Sequence, residues 1–335
     1  MVFEIPKKVK GIVIQKQGLK PELGEIEVPQ LVDGDILVKV EAAPINPVDL
    51  ASLQGKSIIA HYKYPYIPGK EASGTVVAAK GHKEEQLIGK RVGCIVNNER
   101  TLGAYGEYCL TTIKQIMILP NDVDFYTGAC SMVDPLAVNM MLRLTQKKNV
   151  RAVVNTVGCS QLGMQMSKLF TENKIDVINI VRREEQYREL KEHGLKYVLN
   201  QNDEDFWQVF KLLAKELQAR VAFDAIGGEF LQELIKNMPK NSTIYISGDL
   251  SNQREIKIDI MECLLEHKTI TGFSLFHEMQ RWQGDKFQEV THKISKELND
   301  KFHTEIASKI KLNNFQKGLE EYMSEMSFGK TLLVP

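Results

Sequence analysis

Ala152-Val153-Val154-Asn155-Thr156-Val157-Gly158-Cys159-Ser160-Gln161-Leu162-Gly163 is an apolar run that ends in a glycine turn and opens an amphipathic helical pattern. Set against G-x-G-x-x-G, Gly158 and Gly163 fill the first and third places and Ser160 the second. The first glycine permits a tight turn and the third lets the helix pack on the strand. The second lets backbone amides approach a pyrophosphate at the helix N-terminus. Ser160 crowds that approach by one Cβ and brings a hydroxyl able to bond a phosphate oxygen, with Gln161 and Leu162 completing the turn. A glycine between strand and helix also serves packing alone, so the surrounding chain decides.

Downstream, apolar β runs alternate with helical stretches. The turn leads to a helix over 161–170, IDVINIV to one over 184–193, LKYVLN to one over 203–217, and ARVAFDAI to one over 229–237. STIYISG and TITGFSLF complete six strands. Strands with helical crossovers predict a doubly wound six-stranded parallel sheet covered on both faces, which places the turn on a dinucleotide-binding fold. Upstream, KVKGIVIQ, DILVKVEAAPI, SGTVVAAKG, RVGCIVN and EYCLTTIKQIMILP are β runs broken by Gly, Pro, Asn and Asp, a mostly β unit. From about His277 the pattern predicts a long charged helix, the strand IASKIKL, a helix through 314–323 and the terminal run GKTLLVP returning to the first unit. The resulting α/β division is 1–123 with 277–335, and 124–276.

Where an NAD-preferring site places an acid for the ribose 2′-hydroxyl, the second strand ends in Arg182-Arg183. Two guanidinium groups there suit a 2′-phosphate and point to NADPH. The alternative is that they cap a solvated helix beside Glu184 and Glu185.

The 335 residues carry 43 Lys plus Arg and 43 Asp plus Glu, so no global field draws the chain to nucleic acid or an anionic membrane. Five cysteines without a C-x-x-C pair argue against a disulfide framework or a Cys-rich zinc module and for a reducing compartment. No window is long and apolar enough for a membrane span, and the start enters a strand pattern too early for a signal peptide. A soluble, cytoplasmic protein is expected, with the mitochondrial matrix as alternative. The GKT near the C-terminus lacks the upstream glycine and following helix of a phosphate loop, and no G-x-S-x-G elbow occurs.

Taken together, Ala43-Pro44-Ile45-Asn46-Pro47-Val48-Asp49, Ile67-Pro68-Gly69-Lys70-Glu71-Ala72-Ser73-Gly74, Asp134-Pro135-Leu136-Ala137, Phe223-Asp224-Ala225-Ile226-Gly227-Gly228 and Gly329-Lys330 resemble the medium-chain dehydrogenase/reductases, in their zinc-free quinone oxidoreductase and enoyl reductase branch. The resemblance covers nearly the whole chain. It implies a GroES-like, mostly β catalytic domain beside the Rossmann sheet. It also implies that Asn46 and Asp49 line the cleft near the nicotinamide, and that Ser247, Gly248 and Lys330 lie close to the cofactor. Zinc-dependent relatives have a Cys within the stretch held here by 45–47 and a His where Lys70 stands. A protonated amine is no ligand, and no four-cysteine lobe occurs, so neither zinc site is expected.

Without a metal to polarise an alcohol, the accessible chemistry is hydride delivery from NADPH to a small-molecule acceptor, a quinone or an α,β-unsaturated carbonyl compound (enone or enoyl). Enoyl thioester reductases of the family carry a proton-donating tyrosine just after Gln-Gly-Asn. Here Gln54-Gly55-Lys56 leads to Ser57, and Tyr62 and Tyr64 are the candidate donors in the following loop. Ser57, Asp134, Ala137, Ser160 and Gln161 depart from the family pattern, with Asp134 expected to weaken dinucleotide binding. They motivate a second reading, an inactive member serving as a structural or regulatory subunit of a larger assembly, in mitochondria or elsewhere. An enoyl thioester reductase is the third. The family implies a homodimer through the cofactor-domain edge strand, STIYISG or TITGFSLF.

Overall fold

The computed structural model describes residues 3–54, 63–96, 100–324 and 326–335. The chain divides into two units, Met1–Leu136 with Gln283–Pro335, and Ala137–Trp282.

The first unit opens with an antiparallel pair, β1 (Lys8–Val13) and β2 (Glu22–Glu27). β2 buries only Ile26 and has no apolar run, which is why the sequence pattern does not announce it. Next come β3 (Ile36–Pro44), helix α1 (Pro47–Leu53), β4 (Glu71–Ala79) and β5 (Arg91–Ile95). The expected single run 107–120 is two strands, β6 (Tyr108–Thr111) and β7 (Ile116–Ile118), parted by a 3-10 turn over 113–115. Helix α2 (Phe125–Ala129) is capped by Asp124, whose carboxylate accepts from the Thr127 N–H. A core containing Ile12, Val38, Val40, Val76, Val92 and Tyr105 fills this unit.

Helix α3 (Val133–Lys147) begins in the first unit and continues into the second. The division therefore falls after Leu136 and not at 123, because a continuous helix, with no loop to mark it, carries the chain across.

In the second unit the strands are β8 (Ala152–Asn155), β9 (Asp176–Val181), β10 (Tyr197–Asn200), β11 (Val221–Asp224), β12 (Thr243–Ile246) and β13 (Thr269–Gly272). The helices between them are α4 (Gln161–Glu172), α5 (Glu184–Glu192), α6 (Phe206–Glu216), α7 (Gly228–Asn237) and α8 (Ile260–Glu266). All pairings are parallel in the order β10-β9-β8-β11-β12-β13. β8 and β11 are buried along their whole length, so their apolar runs are continuous and not alternating. The order reverses direction between β8 and β11, the switch point where such sheets bind ligands. The expected six-stranded doubly wound sheet is thus present.

TITGFSLF is a strand only to Gly272. Ser274 then caps α9 (Leu275–Gln280), its side chain accepting from His277 N–H, and the unit ends at Trp282 rather than 276. The expected long helix from 277 is instead α9 followed by α10 (Lys286–Ser295). The tail adds β14 (Ile306–Lys311), α11 (Phe315–Ser324) and β15 (Lys330–Val334). β15 runs parallel to β14 and antiparallel to β3, pairing Leu332 with Pro44, and so returns to the first unit.

Candidate active site

The glycine turn stands at the C-terminal end of β8. Gly158 N–H donates to Ile180 O on β9 at 3.0 Å, and a Cβ on Gly158 would stand 2.7 Å from the Asn179 Cβ. A Cβ on Gly163 would lie 2.4 Å from Val157 O. Both positions are glycine because backbone and strand approach there too closely for a side chain. Ser160 is the N-cap of α4: its Oγ accepts from Gly163 N–H at 3.0 Å and donates to Val157 O at 2.8 Å. The hydroxyl proton expected to reach a phosphate is committed to that carbonyl. Gln161 and Leu162 form the first turn of α4, and a helix N-terminus of this kind suits an anion.

Two buried amides brace this turn and were not legible as site residues. Asn155 on β8 donates from Nδ2 to Asn179 Oδ1 on β9 at 3.1 Å and accepts from Val157 N–H at 3.3 Å. Asn179 Nδ2 in turn donates to Ser167 on α4 at 2.9 Å. Their one signal is an amide inside each of two otherwise apolar strands.

Arg182 and Arg183 follow β9, whose Ile180 holds the turn. Arg182 is exposed, its N–H donating to Gln186 Oε1 and its carbonyl accepting from Asn202 Nδ2. Arg183 is the half-buried N-cap of α5. Glu184 pairs with Arg188 at 2.9 Å. Among the described residues the Arg182 guanidinium makes no ion pair. Ser247, after β12, spends both its N–H and its hydroxyl on Asp224 O, at 2.7 and 2.9 Å. Gly248 sits where a Cβ would meet Ala225 O at 2.9 Å.

The first unit holds a separate buried polar cluster. Asn46 precedes Pro47, which suits the first turn of α1. Asp49 Oδ2 accepts from Asn46 N–H at 3.0 Å. Asn46 Nδ2 donates to Glu71 Oε2 on β4 at 3.1 Å, and Lys330 Nζ on β15 donates to Asn46 Oδ1 at 2.6 Å. Lys330 also pairs with Asp134 Oδ2 at 2.8 Å. Glu71 Oε1 accepts from the N–H groups of Met132 and Val133, both at 2.8 Å, at the start of α3. The Asp134 carboxylate is thus compensated by the Lys330 ammonium.

Burial pushes the Glu71 carboxyl up to about 7, against the Lys330 ammonium and the α3 amides. Burial likewise raises Asp49 to about 6, against the neighbouring Tyr105 hydroxyl and Asn46 N–H. Desolvation works against the Lys330 charge, yet Asp134, Tyr322 and Cys130 hold it above the ordinary lysine range. Tyr64 is 38% exposed and stands edge-on to Tyr66, with ring centroids 5.3 Å apart. Tyr62 lies outside the described residues.

Matches to known proteins follow both units. The model of the alcohol dehydrogenase GroES-like domain matches residues 32–121, and that of the zinc-binding dehydrogenases residues 158–295. The chain belongs to the medium-chain dehydrogenase/reductase superfamily, in its quinone oxidoreductase and enoyl reductase-like branch. A Mesorhizobium loti protein described as an NADPH:quinone reductase superposes with a TM-score of 0.89 at 26% identity, covering 99% of this chain and 100% of its own. A mycobacterial protein solved in complex with NADPH gives a TM-score of 0.81 at 21% identity, covering 98% and 100%. The mitochondrial enoyl-[acyl-carrier-protein] reductase of Mus musculus is 22% identical over 338 aligned positions, covering 98% of this chain and 89% of the relative.

Zinc is the group this superfamily's second model names, and the donor set here does not suit it. Lys70 and Lys330 are both buried, and the Lys330 ammonium already takes the carboxylate and amide oxygens at the cluster. Among the described residues no three His, Cys, Asp or Glu converge to hold a metal. A dinucleotide does suit the second unit, where the glycine turn opens α4 at the C-terminal end of β8.

Proposed function

We propose that the chain is an NADPH-dependent, zinc-independent oxidoreductase that reduces a quinone or an α,β-unsaturated carbonyl acceptor. The observation that carries this reading is the hydrogen bond from Gly158 to Ile180, which ties the glycine turn to the strand ending in Arg182-Arg183. In this reading the helix N-terminus after that turn would take the pyrophosphate, and Arg182 and Arg183, which follow the same strand, the 2′-phosphate.

Gly158, Ser160, Gln161, Leu162 and Gly163 would take the pyrophosphate by backbone contact and Ser247 and Gly248 the rest of the cofactor, while Lys330 acts through Asn46. A reduced nicotinamide, when bound, would supply the hydride, and negative charge would develop on the acceptor's carbonyl oxygen. Asn46, held by Lys330 and Glu71, supplies an amide donor toward that oxygen, and Asp49 fixes the Asn46 backbone. Tyr64 and Tyr62 are the candidates for returning the proton.

A homodimer is part of this reading. β13 has one neighbour in its sheet, β12, and α8 just before it exposes Ile260, Leu264 and Leu265.

Titration with NADPH and NADH by nicotinamide fluorescence, followed by turnover with quinones, enones and enoyl thioesters, tests the function. Tighter NADPH binding with quinone or enone turnover is expected. Preference for enoyl thioesters moves the assignment to that reductase, binding without turnover to a subunit role, and absent binding removes the cofactor assignment. Fractionation of cells separates cytosol from mitochondrial matrix.

A further inference from the structure

The Asn46 amide has one orientation that its partners accept. The Lys330 ammonium, a donor with no acceptor capacity, lies 2.6 Å from Oδ1, while the Glu71 carboxylate, which only accepts when ionised, lies 3.1 Å from Nδ2. Exchanging the amide oxygen and nitrogen sets N–H against N–H on one side and oxygen against oxygen on the other. Lys330 is itself fixed by Asp134 at 2.8 Å. Asp134 lies in the first turn of α3, whose first N–H groups are bound by Glu71, so the contacts close into a ring. Asn46's own backbone is anchored apart from this ring, through its N–H to Asp49 and through Ile45 N–H to Thr331 O.

Nδ2 carries two N–H groups. Glu71 takes one, and the other has no acceptor among the described residues. Asn46 is 1% exposed, so that N–H has also lost water as a partner. A donor of this kind, dry and preoriented, acts most strongly on charge that develops beside it. The charge-assisted bond at Oδ1 draws electron density from the amide nitrogen and strengthens its remaining N–H.

We propose that Lys330 is a positioning residue of the reaction, locking and polarising the Asn46 amide so that its free N–H meets the oxygen on which negative charge develops in the acceptor. This rests on the oxidoreductase reading above. Lys330 transfers no proton and stays charged throughout, because Asp134 sustains its ammonium.

The lock matters near neutral pH because Glu71 is buried and titrates there. Facing Glu71 are Lys330 from β15, Asp134 from α3, Tyr105, Cys94 from β5, and Cys130 after α2. Protonated Glu71 becomes a donor and accepts either face of the amide. With Lys330 in place, Oδ1 stays on the ammonium whatever Glu71 does. With Lys330 removed, the amide follows the titration of Glu71.

Two readouts on the full chain separate this inference from the function it rests on. Wild-type turnover of 1,4-benzoquinone or trans-3-nonen-2-one with NADPH tests the oxidoreductase reading alone. The 15N–1H resonances of the Asn46 side-chain amide, assigned by their loss in Asn46→Ser, test the lock with no need for activity. In the wild type the Nδ2–H pair should shift as Glu71 titrates between pH 5.5 and 8.5 yet keep the same nuclear Overhauser contacts, and in Lys330→Met those contacts should be lost as Glu71 protonates, with a midpoint above the wild-type one. Lys330→Arg should keep the wild-type contacts, and Lys330→Gln replaces Met if that variant does not fold. In an active enzyme Lys330→Met should lower kcat by about 10- to 100-fold with KM for NADPH unchanged, and Arg should restore part of it. Amide contacts that persist without the lysine charge while Glu71 protonates, or a kcat left at the wild-type value, overturn the proposal.

Discussion

The Lys330 ammonium, on the last strand of the chain, lies 2.6 Å from the amide oxygen of Asn46, 284 residues earlier, and both are buried. The bond joins the C-terminal strand to the start of α1, and Asp134 completes it as a buried ion pair. Removing one partner of such a pair leaves an uncompensated charge. Lys330→Met should therefore cost about 3–5 kcal/mol of unfolding free energy. Adding Asp134→Asn should recover part of that loss, since the stranded carboxylate disappears with it. Urea denaturation of the two single variants and the double variant measures the coupling, and additive losses contradict the pair.

Stability should fall as pH rises from about 4 to about 7, opposite in sign to a protein held by ionised carboxylates. Glu71 and Asp49 have folded pKa values of about 7 and about 6, raised from 4.5 and 3.8 by burial. The folded state thus binds protons that the unfolded state has released. Their favourable contribution is complete below the unfolded values and lost as pH passes the folded ones. For Glu71 the difference amounts to roughly 3 kcal/mol at most. The midpoint of thermal unfolding for wild type and Glu71→Gln, followed from pH 4.5 to 8, checks the sign. The Gln variant should show the shallower slope.

Replacing Arg182 and Arg183 together by Ala should weaken NADPH binding about 10- to 100-fold, the worth of one or two charge-assisted bonds. NADH, which lacks the 2′-phosphate, should bind as before. Equal losses for both cofactors would assign the arginines to the fold of α5 instead. Fluorescence titration of each dinucleotide reads the difference.

The parallel sheet was legible because β8, β9 and β11 are buried on both faces and read as unbroken apolar runs between amphipathic helices. The glycine turn was legible because close approach admits only glycine at 158 and 163. β2 was not legible, since a strand burying Ile26 alone leaves no periodic trace. The Lys330–Asn46–Glu71–Asp134 ring was not legible as a ring. Its members come from β15, the residue before α1, β4 and α3, and no local spacing records a contact made by tertiary folding. Motif matching named Asn46 and Lys330 separately, with different roles. It could not show that Lys330 is committed to the very amide it was meant to accompany.

The remaining prediction concerns self-association. In the second unit's sheet, β10 and β13 are the edge strands, and among the described residues β13 (Thr269–Gly272) pairs with β12 alone. Just before it, α8 exposes 77% of Ile260, 61% of Leu264 and 63% of Leu265, an apolar cluster on a seven-residue helix. The cluster is held at the sheet edge by Lys268, whose buried ammonium pairs with Glu262 and Glu266 of α8. A parallel edge left open beside exposed leucines invites pairing, and a second copy of the chain satisfies both features at once. Leu264→Glu with Leu265→Glu puts four like charges into a twofold contact while leaving the sheet core untouched. Sedimentation equilibrium should then give the mass of one 38.0 kDa chain where the wild type gives two. A wild type that sediments as a single chain removes the dimer, and a double variant that still sediments as two places the contact elsewhere.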